Sequence, residues 1–322
     1  MKGMILAAGY GERLWPLTAD RTKPALPVLG KPLVGYVAEY LAHHGVDDIV
    51  VNLHHRPESV RSSLGDGSRF GVHLEYIHEP VILGTSGALD NARDYFTSET
   101  FVVINGKLIT DIDLTAALET HRRTGALATL ILKQNLARER FSVVETSEGK
   151  VTRFSGMPRP DDETPLMFTG IQILEPRIFE YIPRGVFSHS TTEVYPQAIA
   201  RGETIAAHVA EGNWRELSTL RRYLDISLAL LKEKDLDVFA GSNSTVGEGA
   251  VVRDCVLWDN VVVEEDALVS RSVIADGVTV RAGERFEDAV VVCASLVAGT
   301  SPPAKALKGH VIGDKFVVSL SQ

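Results

Sequence analysis

Apolar positions along the first 235 residues follow two alternating periods. Residues 3–8 and 48–53 are short, almost continuous apolar runs, which are typical of strands buried on both faces. Val34, Val37 and Leu41 recur at helical spacing within residues 33–44. The same patterns predict strands at 72–77, 101–104 and 126–133, and helices at 57–64, 87–96, 114–124 and 220–232. This alternation predicts an α/β fold, with a mainly parallel, doubly wound sheet that binds ligands outside the carboxyl ends of its strands.

Beyond Ser242 the helical pattern stops and aliphatic residues recur every six positions, in rows offset by five-residue steps. The rows comprise Val246 and Val252, then Leu257, Val263 and Val269, then Ile274, Val280, Phe286 and Val292. A hexapeptide period is typical of a left-handed β-helix, in which each short strand forms one side of a triangular coil. An ordinary antiparallel sheet with coincidental spacing is the alternative. We therefore predict two domains, residues 1–235 and residues 236–322.

The charge and length of the chain narrow the classes of partner. At 322 residues the chain is long enough for two domains. A formal net charge of -9, with no run of Lys or Arg, argues against nucleic acid or an anionic membrane surface as a partner. No stretch approaches the ~20 apolar residues of a membrane span. The two cysteines, Cys255 and Cys293, match neither a disulfide framework nor a metal-ligand spacing, so we expect reduced thiols in a cytoplasmic protein.

Candidate chemistry begins directly after the first strand. Gly9 and Gly11, two positions apart, let the backbone turn tightly and present N–H groups to phosphate oxygens. Arg13 offers a planar fork for phosphate, and Lys23, within a Lys-Pro-x-x-Pro run, offers a second positive charge. A plain turn after the strand is the alternative, but the order and spacing of these residues favour a phosphate-binding segment.

The segment from Leu6 to Val28 resembles the signature of the sugar-1-phosphate nucleotidyltransferases, the family that includes mannose-1-phosphate guanylyltransferases and glucose-1-phosphate thymidylyl- and uridylyltransferases. The resemblance extends over nearly the whole chain. It assigns a nucleotide-base loop at 79–88, a mid-domain metal segment at 105–111, a sugar-side strand at 168–170 and a second metal segment after 211–214. The hexapeptide coils match the longer members, so the fold it implies is a Rossmann-like nucleotidyltransferase domain followed by a β-helix.

This resemblance implies an activity and a set of site residues. A phosphate oxygen of a sugar 1-phosphate attacks the α-phosphorus of a nucleoside triphosphate, and pyrophosphate leaves. Mannose 1-phosphate and GTP are slightly favoured, although the base loop occurs in guanylyl-, uridylyl- and thymidylyl-specific members alike. Arg13 and Lys23 are implied to hold the phosphates. The implied nucleotide-binding residues are Leu6, Ala7, Ala8, Gly9, Gly11, Glu79, Gly84, Thr85 and Gly87, and the implied sugar-binding residues are Asn105, Gly106, Thr169, Gly170 and Glu193.

The implied cofactor is Mg²⁺, yet the sequence departs from the family pattern where the metal binds. Lys107 stands where the family carries an Asp ligand, and Glu216 stands where it carries a second one. An ammonium repels a cation, which leaves Glu216 as the main metal candidate, with Asp111 as a further one. Lys107 is therefore a catalytic candidate in its own right. Further departures are Ser218 for Gly, Ser155-Gly156-Met157-Pro158 for a Glu-Lys-Pro run, and Phe141-Ser142 for Tyr-Gly.

Three hypotheses follow for the function. In the first, the protein is a working nucleotidyltransferase. Either Lys107 supplies positive charge in place of the metal, or the metal is present and Asp111 or Asp113 coordinates it. In the second, it is a catalytically silent relative that binds a nucleotide sugar as a sensor or regulatory subunit. In the third, it is a structural partner whose β-helix drives assembly. A β-helix exposes edges and an end that favour association, so we expect a homo-oligomer formed through the β-helix. Asp111 and Asp113 are also candidates to cap the helix near Leu114.

Overall fold

The computed structural model describes residues 1–160, 162 and 164–321. Its helices are α1 (Leu33–His43), α2 (Pro57–Leu64), α3 (Gly84–Asn91), α4 (Leu114–Thr124), α5 (Tyr195–Ala200), α6 (Leu220–Lys232) and α7 (Ala294–Val297). The strands before α6 are β1 (Lys2–Leu6), β2 (Pro27–Val28), β3 (Lys31–Pro32), β4 (Asp48–Leu53), β5 (His73–His78), β6 (Phe101–Asn105), β7 (Leu108–Thr110), β8 (Ala128–Gln134), β9 (Val144–Ser147), β10 (Lys150–Phe154), β11 (Leu166–Leu174), β12 (Ile205–Val209) and β13 (Trp214–Glu216).

The described residues form two compact units. The first unit comprises Met1–Gly9 and Val34–Trp214, and the second comprises Tyr10–Leu33 and Arg215–Gln322. The segment after β1 therefore groups with the C-terminal part of the chain. The domain boundary that we placed at residue 235 stays a prediction.

A nine-stranded sheet forms the centre of the first unit, in the order β5-β4-β1-β6-β11-β8-β12-β10-β9. Strands β5, β4, β1 and β6 are parallel, as predicted. Strand β11 runs antiparallel to both of its neighbours, β6 and β8, and β9 and β10 are also antiparallel, so the sheet is mixed rather than mainly parallel. The reason is that β8 and β11 are joined through β9 and β10 without a crossover helix, which a parallel pairing needs.

Most predicted elements of this unit form within two residues of their predicted limits. The bounds of β4, α2 and α4 agree at both ends with the predicted ranges, as do those of α6 in the second unit. The helix predicted at 87–96 is different: α3 begins at Gly84 and ends at Asn91, and a short 3-10 turn follows at Arg93–Tyr95. Gly84, which lies outside the predicted helix, and Gly87, its predicted first residue, are therefore both part of the first turn of α3.

Helix α4 begins with a side-chain cap. The carboxylate of Asp113 accepts a hydrogen bond from the backbone N–H of Ala116 at 3.1 Å, and this confirms the capping role considered for Asp113. Asp111 does not cap the helix; it binds Asn213 instead.

We expect Asp113→Ala to lower the free energy of unfolding by about 1 kcal/mol, because the first turn of α4 loses its acceptor. The measurement is the urea midpoint at unchanged slope. Glu119→Ala, at an exposed position in the middle of the same helix, is the control and should change the free energy by less than about 0.5 kcal/mol. Equal effects from the two substitutions would contradict a capping role.

The C-terminal part of the second unit is a parallel β-helix. Its strands and those that follow are β14 (Val238–Ala240), β15 (Thr245–Val246), β16 (Val251–Arg253), β17 (Cys255–Leu257), β18 (Val262–Val263), β19 (Leu268–Ser270), β20 (Val273–Ile274), β21 (Thr279–Val280), β22 (Arg285–Glu287), β23 (Ala289–Cys293), β24 (His310–Ile312) and β25 (Lys315–Ser319). Three parallel sheets form its sides, and Val246 pairs with Val263, which pairs with Val280, so each coil is 17 residues long.

Two of the predicted rows correspond to successive coils, whereas Val246 of the first row, predicted to lie inside, is 49% exposed. The side chains of Leu257, Val263 and Val269 are buried in one coil, and those of Ile274, Val280 and Phe286 in the next. A 17-residue coil contains two six-residue steps and one five-residue step, which explains the offsets in the sequence. The antiparallel alternative was wrong for the coils, but strands β24 and β25 do pair antiparallel, on β23. The short helix α7 also lies in this part, where the sequence carried no helical signal.

No helix in the part of the chain that the structure describes is both long and apolar enough to cross a lipid bilayer.

Candidate functional site

The predicted site residues of the first unit gather at the carboxyl edge of the parallel strands. Leu6, the last residue of β1, lies in register between Asn52 of β4 and Asn105 of β6. The chain moves from β1 to β4 on one side and returns to β6 on the other, so this is the position where the strand order reverses. Open α/β sheets bind their ligands in the crevice at such a position. Ala7 is fixed there, because its N–H donates to Asn52 Oδ1 at 2.8 Å.

Glu79 connects this edge to the base loop. Its side chain is fully buried, and its two oxygens accept hydrogen bonds from Asn52 Nδ2 at 2.6 Å and from the backbone N–H of Leu83 at 3.2 Å. Burial raises the pKa of the Glu79 carboxyl, and the two hydrogen bonds partly offset that shift. Because no part of Glu79 is exposed, its geometry suits a support for the base loop, whereas the sequence suggested direct contact with the nucleotide.

The base loop is held against a segment that the sequence did not identify. The carbonyl oxygen of Ser188 accepts from the N–H groups of Ser86 and Gly87 at 3.1 and 3.3 Å, and the N–H of Ser188 donates to the Leu83 carbonyl at 2.9 Å. The hydroxyl groups of Ser86 and Ser188 are 3.0 Å apart, with both residues buried. A contact between positions about a hundred residues apart leaves no local signal in the sequence, which is why we missed this segment.

Two glycines make this close approach possible. Gly84 has a φ of +77°, and a Cβ there would overlap the Ser188 carbonyl oxygen. A Cβ on Gly87 would lie 2.6 Å from the carbonyl oxygen of Val186. Thr85 completes the attachment, because its hydroxyl accepts from the N–H of Ser190 at 3.0 Å. The predicted base-loop residues Gly84, Thr85 and Gly87 therefore form one ordered turn.

Two of the predicted sugar-side glycines lie at the same sheet edge. Gly170 faces Asn105, one position beyond the pairing of Ile171 with Ile104. Only a glycine fits there, since its φ is +82° and a Cβ would overlap the Asn105 amide. Gly106 is close to β1, and its N–H donates to the Leu6 carbonyl at 2.9 Å.

The other two predicted sugar-side residues already have partners within the protein. Thr169 is buried and donates its hydroxyl to the carbonyl of Ile131 at 2.7 Å. Glu193 is exposed, and its carboxylate accepts from the N–H of His189 at 2.9 Å. Thr169, next to Gly170 in β11, thus directs its hydroxyl to β8, and the Glu193 carboxylate is engaged by the segment that holds the base loop.

Positions that depart from the family pattern line a common cavity of about 610 Å³ in the first unit. Phe141, Ser142 and Ser155 lie on its wall, together with Phe168 of the sugar-side strand. Phe154 adds further apolar surface. The sugar-side strand and two segments that depart from the family pattern are thus brought to one place.

Asp111, a metal candidate of the first unit, has both of its carboxylate oxygens engaged within the protein. Both carboxylate oxygens of Asp111 accept hydrogen bonds from Asn213, at 2.5 Å from its backbone N–H and 2.6 Å from its side-chain amide. Lys107, which the resemblance aligns with a metal-ligand Asp of the family, is half-buried in the turn between β6 and β7. Within the described residues, no group of three or more His, Cys, Asp or Glu side chains is placed to hold a metal ion. A carboxylate engaged by Asn213 and a lysine at position 107 are poor ligands for Mg²⁺, which binds through carboxylate oxygens.

In the second unit, the phosphate candidates lie on two 3-10 turns. Gly9, the last residue of the first unit before this segment, would have no close neighbour around a Cβ. Gly11 has a φ of +71°, and a Cβ there would lie 3.0 Å from Lys23 Cβ, so Gly11 and Lys23 are in close contact. Arg13 is exposed within the turn Glu12–Leu14, and Lys23 begins the turn Lys23–Ala25.

Glu216, also in the second unit, is buried at the end of β13. Its backbone carbonyl accepts from Nε of Arg222 at 2.8 Å, which places a guanidinium beside the one remaining metal candidate.

Comparison with known proteins covers most of the chain. Residues 2–233 match the sequence profile described as nucleotidyl transferase. The UTP–glucose-1-phosphate uridylyltransferase of Synechocystis sp. is 31% identical over 318 residues, covering 94% of this chain and 82% of that protein. The mannose-1-phosphate guanylyltransferase of Mycobacterium tuberculosis is 28% identical over 295 residues, covering 90% of this chain and 82% of that protein.

A solved structure agrees with the fold. It is a Bacillus anthracis protein assigned as a glucose-1-phosphate thymidylyltransferase, in complex with sucrose. It is similar with a TM-score of 0.64 at 27% identity, covering 72% of this chain and 96% of that chain.

Proposed function

We propose that this chain, which belongs to the sugar-1-phosphate nucleotidyltransferase family, transfers a nucleotidyl group from a nucleoside triphosphate to a sugar 1-phosphate. The products are a nucleotide sugar and pyrophosphate. The observation that carries this proposal is the position of the base loop and of the sugar-side residues Asn105, Gly106 and Gly170 at the edge where the strand order reverses beside β1. That edge is where α/β sheets bind nucleotides.

The main contributions of the protein to this reaction are to position the two substrates and to supply positive charge that offsets the repulsion between their phosphates. An oxygen of the sugar phosphate forms a bond to the α-phosphorus, the bond from that phosphorus to the bridging oxygen breaks, and the electron pair leaves with pyrophosphate. Holding the two phosphates in line and offsetting their mutual repulsion lowers the barrier. In this proposal Arg13 and Lys23 hold the triphosphate. The backbone around it is formed by Leu6, Ala7, Ala8, Gly9 and Gly11, which admit the phosphates. The base loop, supported by Glu79, binds the base.

Lys107 supplies positive charge at the sheet edge in the proposed mechanism. Two unit charges about 4 Å apart interact by ~4 kcal/mol at an effective dielectric near 20, so one ammonium has a large effect on a phosphate transition state. The lysine replaces the carboxylate that would otherwise attract a metal ion. We propose that this enzyme depends less on a protein-held Mg²⁺ than the family pattern implies, with Glu216 as the remaining carboxylate candidate.

The test is pyrophosphate release from pairs of triphosphates and sugar 1-phosphates, with Mg²⁺ and with a chelator. We expect turnover with at least one pair, and we give mannose 1-phosphate with GTP the first trial. Activity that persists at a reduced level with the chelator would support a role for Lys107 in place of the metal. Complete loss of turnover in the chelator, restored by Mg²⁺, would contradict that part of the proposal.

Catalytic silence is the second candidate, and the amide clamp on Asp111 together with Lys107 favours it. In that case the protein binds a nucleotide sugar and does not turn it over. Absence of pyrophosphate release with every pair, combined with an upward shift of the thermal midpoint by a nucleotide sugar, would select this candidate. If neither pyrophosphate release nor a thermal shift is observed, the remaining hypothesis is that the protein is a structural partner whose β-helix drives assembly.

We also propose a cytoplasmic homo-oligomer that assembles through the β-helix. Two outward valines on its sides, Val251 and Val262, are 49% and 37% exposed and offer apolar surface that a second copy of the chain could cover. Light scattering should give a mass above that of one chain. Val251→Lys with Val262→Lys should shift it toward one chain, whereas a monomeric wild type would contradict the proposal.

A further inference from the structure

The phosphate segment, Tyr10–Leu33, is packed at both ends against the C-terminal part of its own unit. The ring of Trp15 meets that of Phe316 edge-on, with centroids 5.1 Å apart. Further along the segment, a Cβ on Gly30 would lie 2.9 Å from the ring of Phe239 in β14. The turn that carries Lys23 lies between these two contacts, and Arg13 lies just before the first of them.

Arg21, two residues before Lys23, is held by a β-helix carboxylate. Its Nη2 lies 2.7 Å from Asp276 Oδ2 and 2.8 Å from Asp20 Oδ2, and its guanidinium carbon lies 5.2 Å from the ring centroid of Trp258. Burial alone would lower the pKa of Arg21, but the two carboxylates outweigh it and raise the pKa. Asp276 is itself fixed, since its other oxygen accepts from the N–H of Asp259 at 3.1 Å.

The residues after Lys23 are held through the same tryptophan ring. Nε1 of Trp258 donates to the hydroxyl of Tyr223 at 2.8 Å. The Tyr223 hydroxyl donates in turn to the carbonyl oxygen of Pro27, and Tyr223 is fully buried. The turn that carries Lys23 is therefore held on both sides, at Arg21 and at Pro27, by one connected set of side chains from α6 and the β-helix.

We propose that Asp276 and Trp258 are positioning residues for the triphosphate, which makes the β-helix a working part of the nucleotide site. This inference rests on the proposed function, because it takes Arg13 and Lys23 as phosphate ligands. A cation on a loose loop must be ordered each time a ligand binds, and that ordering lowers the affinity. A loop already ordered by Asp276 and Trp258 avoids that loss, in the way that supporting residues hold a binding site in its productive geometry.

Loss of the ion pair between Arg21 and Asp276 should affect triphosphate binding but not the stability of the fold. The ion pair between Arg21 and Asp276 is partly exposed, with 26% and 36% of the side chains accessible, and such pairs contribute little to the stability of a fold. Its loss should therefore leave the unfolding midpoint almost unchanged. The affinity for the triphosphate should fall, while the affinity for the sugar 1-phosphate should not.

The experiment compares Asp276→Asn with Asp288→Asn in the full chain. Asp288 is the control in the same β-helix, since it is likewise a carboxylate in ion pairs with arginine, in its case Arg221 and Arg271. We expect Asp276→Asn to raise the KM for the triphosphate about tenfold, equivalent to a loss of ~1.4 kcal/mol. The KM for the sugar 1-phosphate and the thermal midpoint should match those of the control. Arg21→Lys, which keeps the charge but loses the fork, should give an intermediate KM.

The outcomes distinguish this inference from the proposed function. If the wild type turns over and Asp276→Asn has the same triphosphate KM as Asp288→Asn, the positioning role is overturned and the function stands. The positioning role is also overturned if Asp276→Asn weakens binding of both the triphosphate and the sugar 1-phosphate and lowers the thermal midpoint. That pattern would show that Asp276 only stabilises the fold. If the wild type binds a triphosphate by calorimetry without turnover, weaker binding by Asp276→Asn supports the positioning role although the activity fails. No binding by the wild type overturns both.

Discussion

Gly84→Ala is expected to lower kcat/KM for the triphosphate by ~100-fold, equivalent to about 3 kcal/mol. Gly84 has a φ of +77°, and an L-residue in that left-handed region costs roughly 1–2 kcal/mol before any contact is considered. The added Cβ also overlaps the carbonyl oxygen of Ser188, which accepts hydrogen bonds from Ser86 and Gly87. The first turn of α3 must therefore move away from this segment, and the base loop moves with it.

The control for this substitution is Gly125→Ala at the end of α4. Gly125 has a similarly positive φ of +58°, but a Cβ there meets nothing within 4 Å. It should cost about 1–2 kcal/mol of stability and leave the triphosphate KM unchanged. Steady-state kinetics and urea unfolding on both variants separate the two effects. A Gly84→Ala protein with the kinetics of the wild type would show that the base loop is not part of the nucleotide site.

Lys107→Met is expected to reduce kcat by roughly 100-fold to 1,000-fold, which corresponds to the loss of ~3–4 kcal/mol of charge stabilisation. Methionine keeps most of the length of the side chain and removes its charge, so the turn between β6 and β7 should remain folded. The effect should appear in kcat more than in KM, because the charge matters most when the phosphorus is being transferred. Lys107→Asp should be inactive with a chelator and should regain activity with Mg²⁺.

Lys2→Met is the matched control for Lys107. Lys2 begins β1 at the opposite end of the strand, and its ammonium donates to the carbonyl oxygen of Tyr95 at 2.9 Å. Its removal should leave kcat within about twofold of the wild type. If Lys107→Met also retained the full kcat, Lys107 would contribute no charge to the transition state. The site would then depend on other groups, and the hypothesis that the lysine replaces a metal would be wrong.

The local pattern of the chain determined most of the elements. Helix α4 and strand β4 are bounded as predicted, because the apolar period and the turn residues act within a few positions. The same holds for the β-helix, since each coil repeats one short pattern and packs on its neighbour. The glycine segment after β1 and the family it indicates were also readable, because its residues lie close together in the sequence.

Only the tertiary structure decided how distant residues are used. The burial of Glu79, the clamp of Asn213 on Asp111 and the contact of Ser188 with the base loop each join positions far apart in the chain. The same is true of Arg21 and Asp276, which are 255 residues apart. No local period reports such pairs, because they form only when the strands and coils have been brought together. The sequence by itself therefore determined what kind of protein this is, and the packing decided which of its side chains support the site.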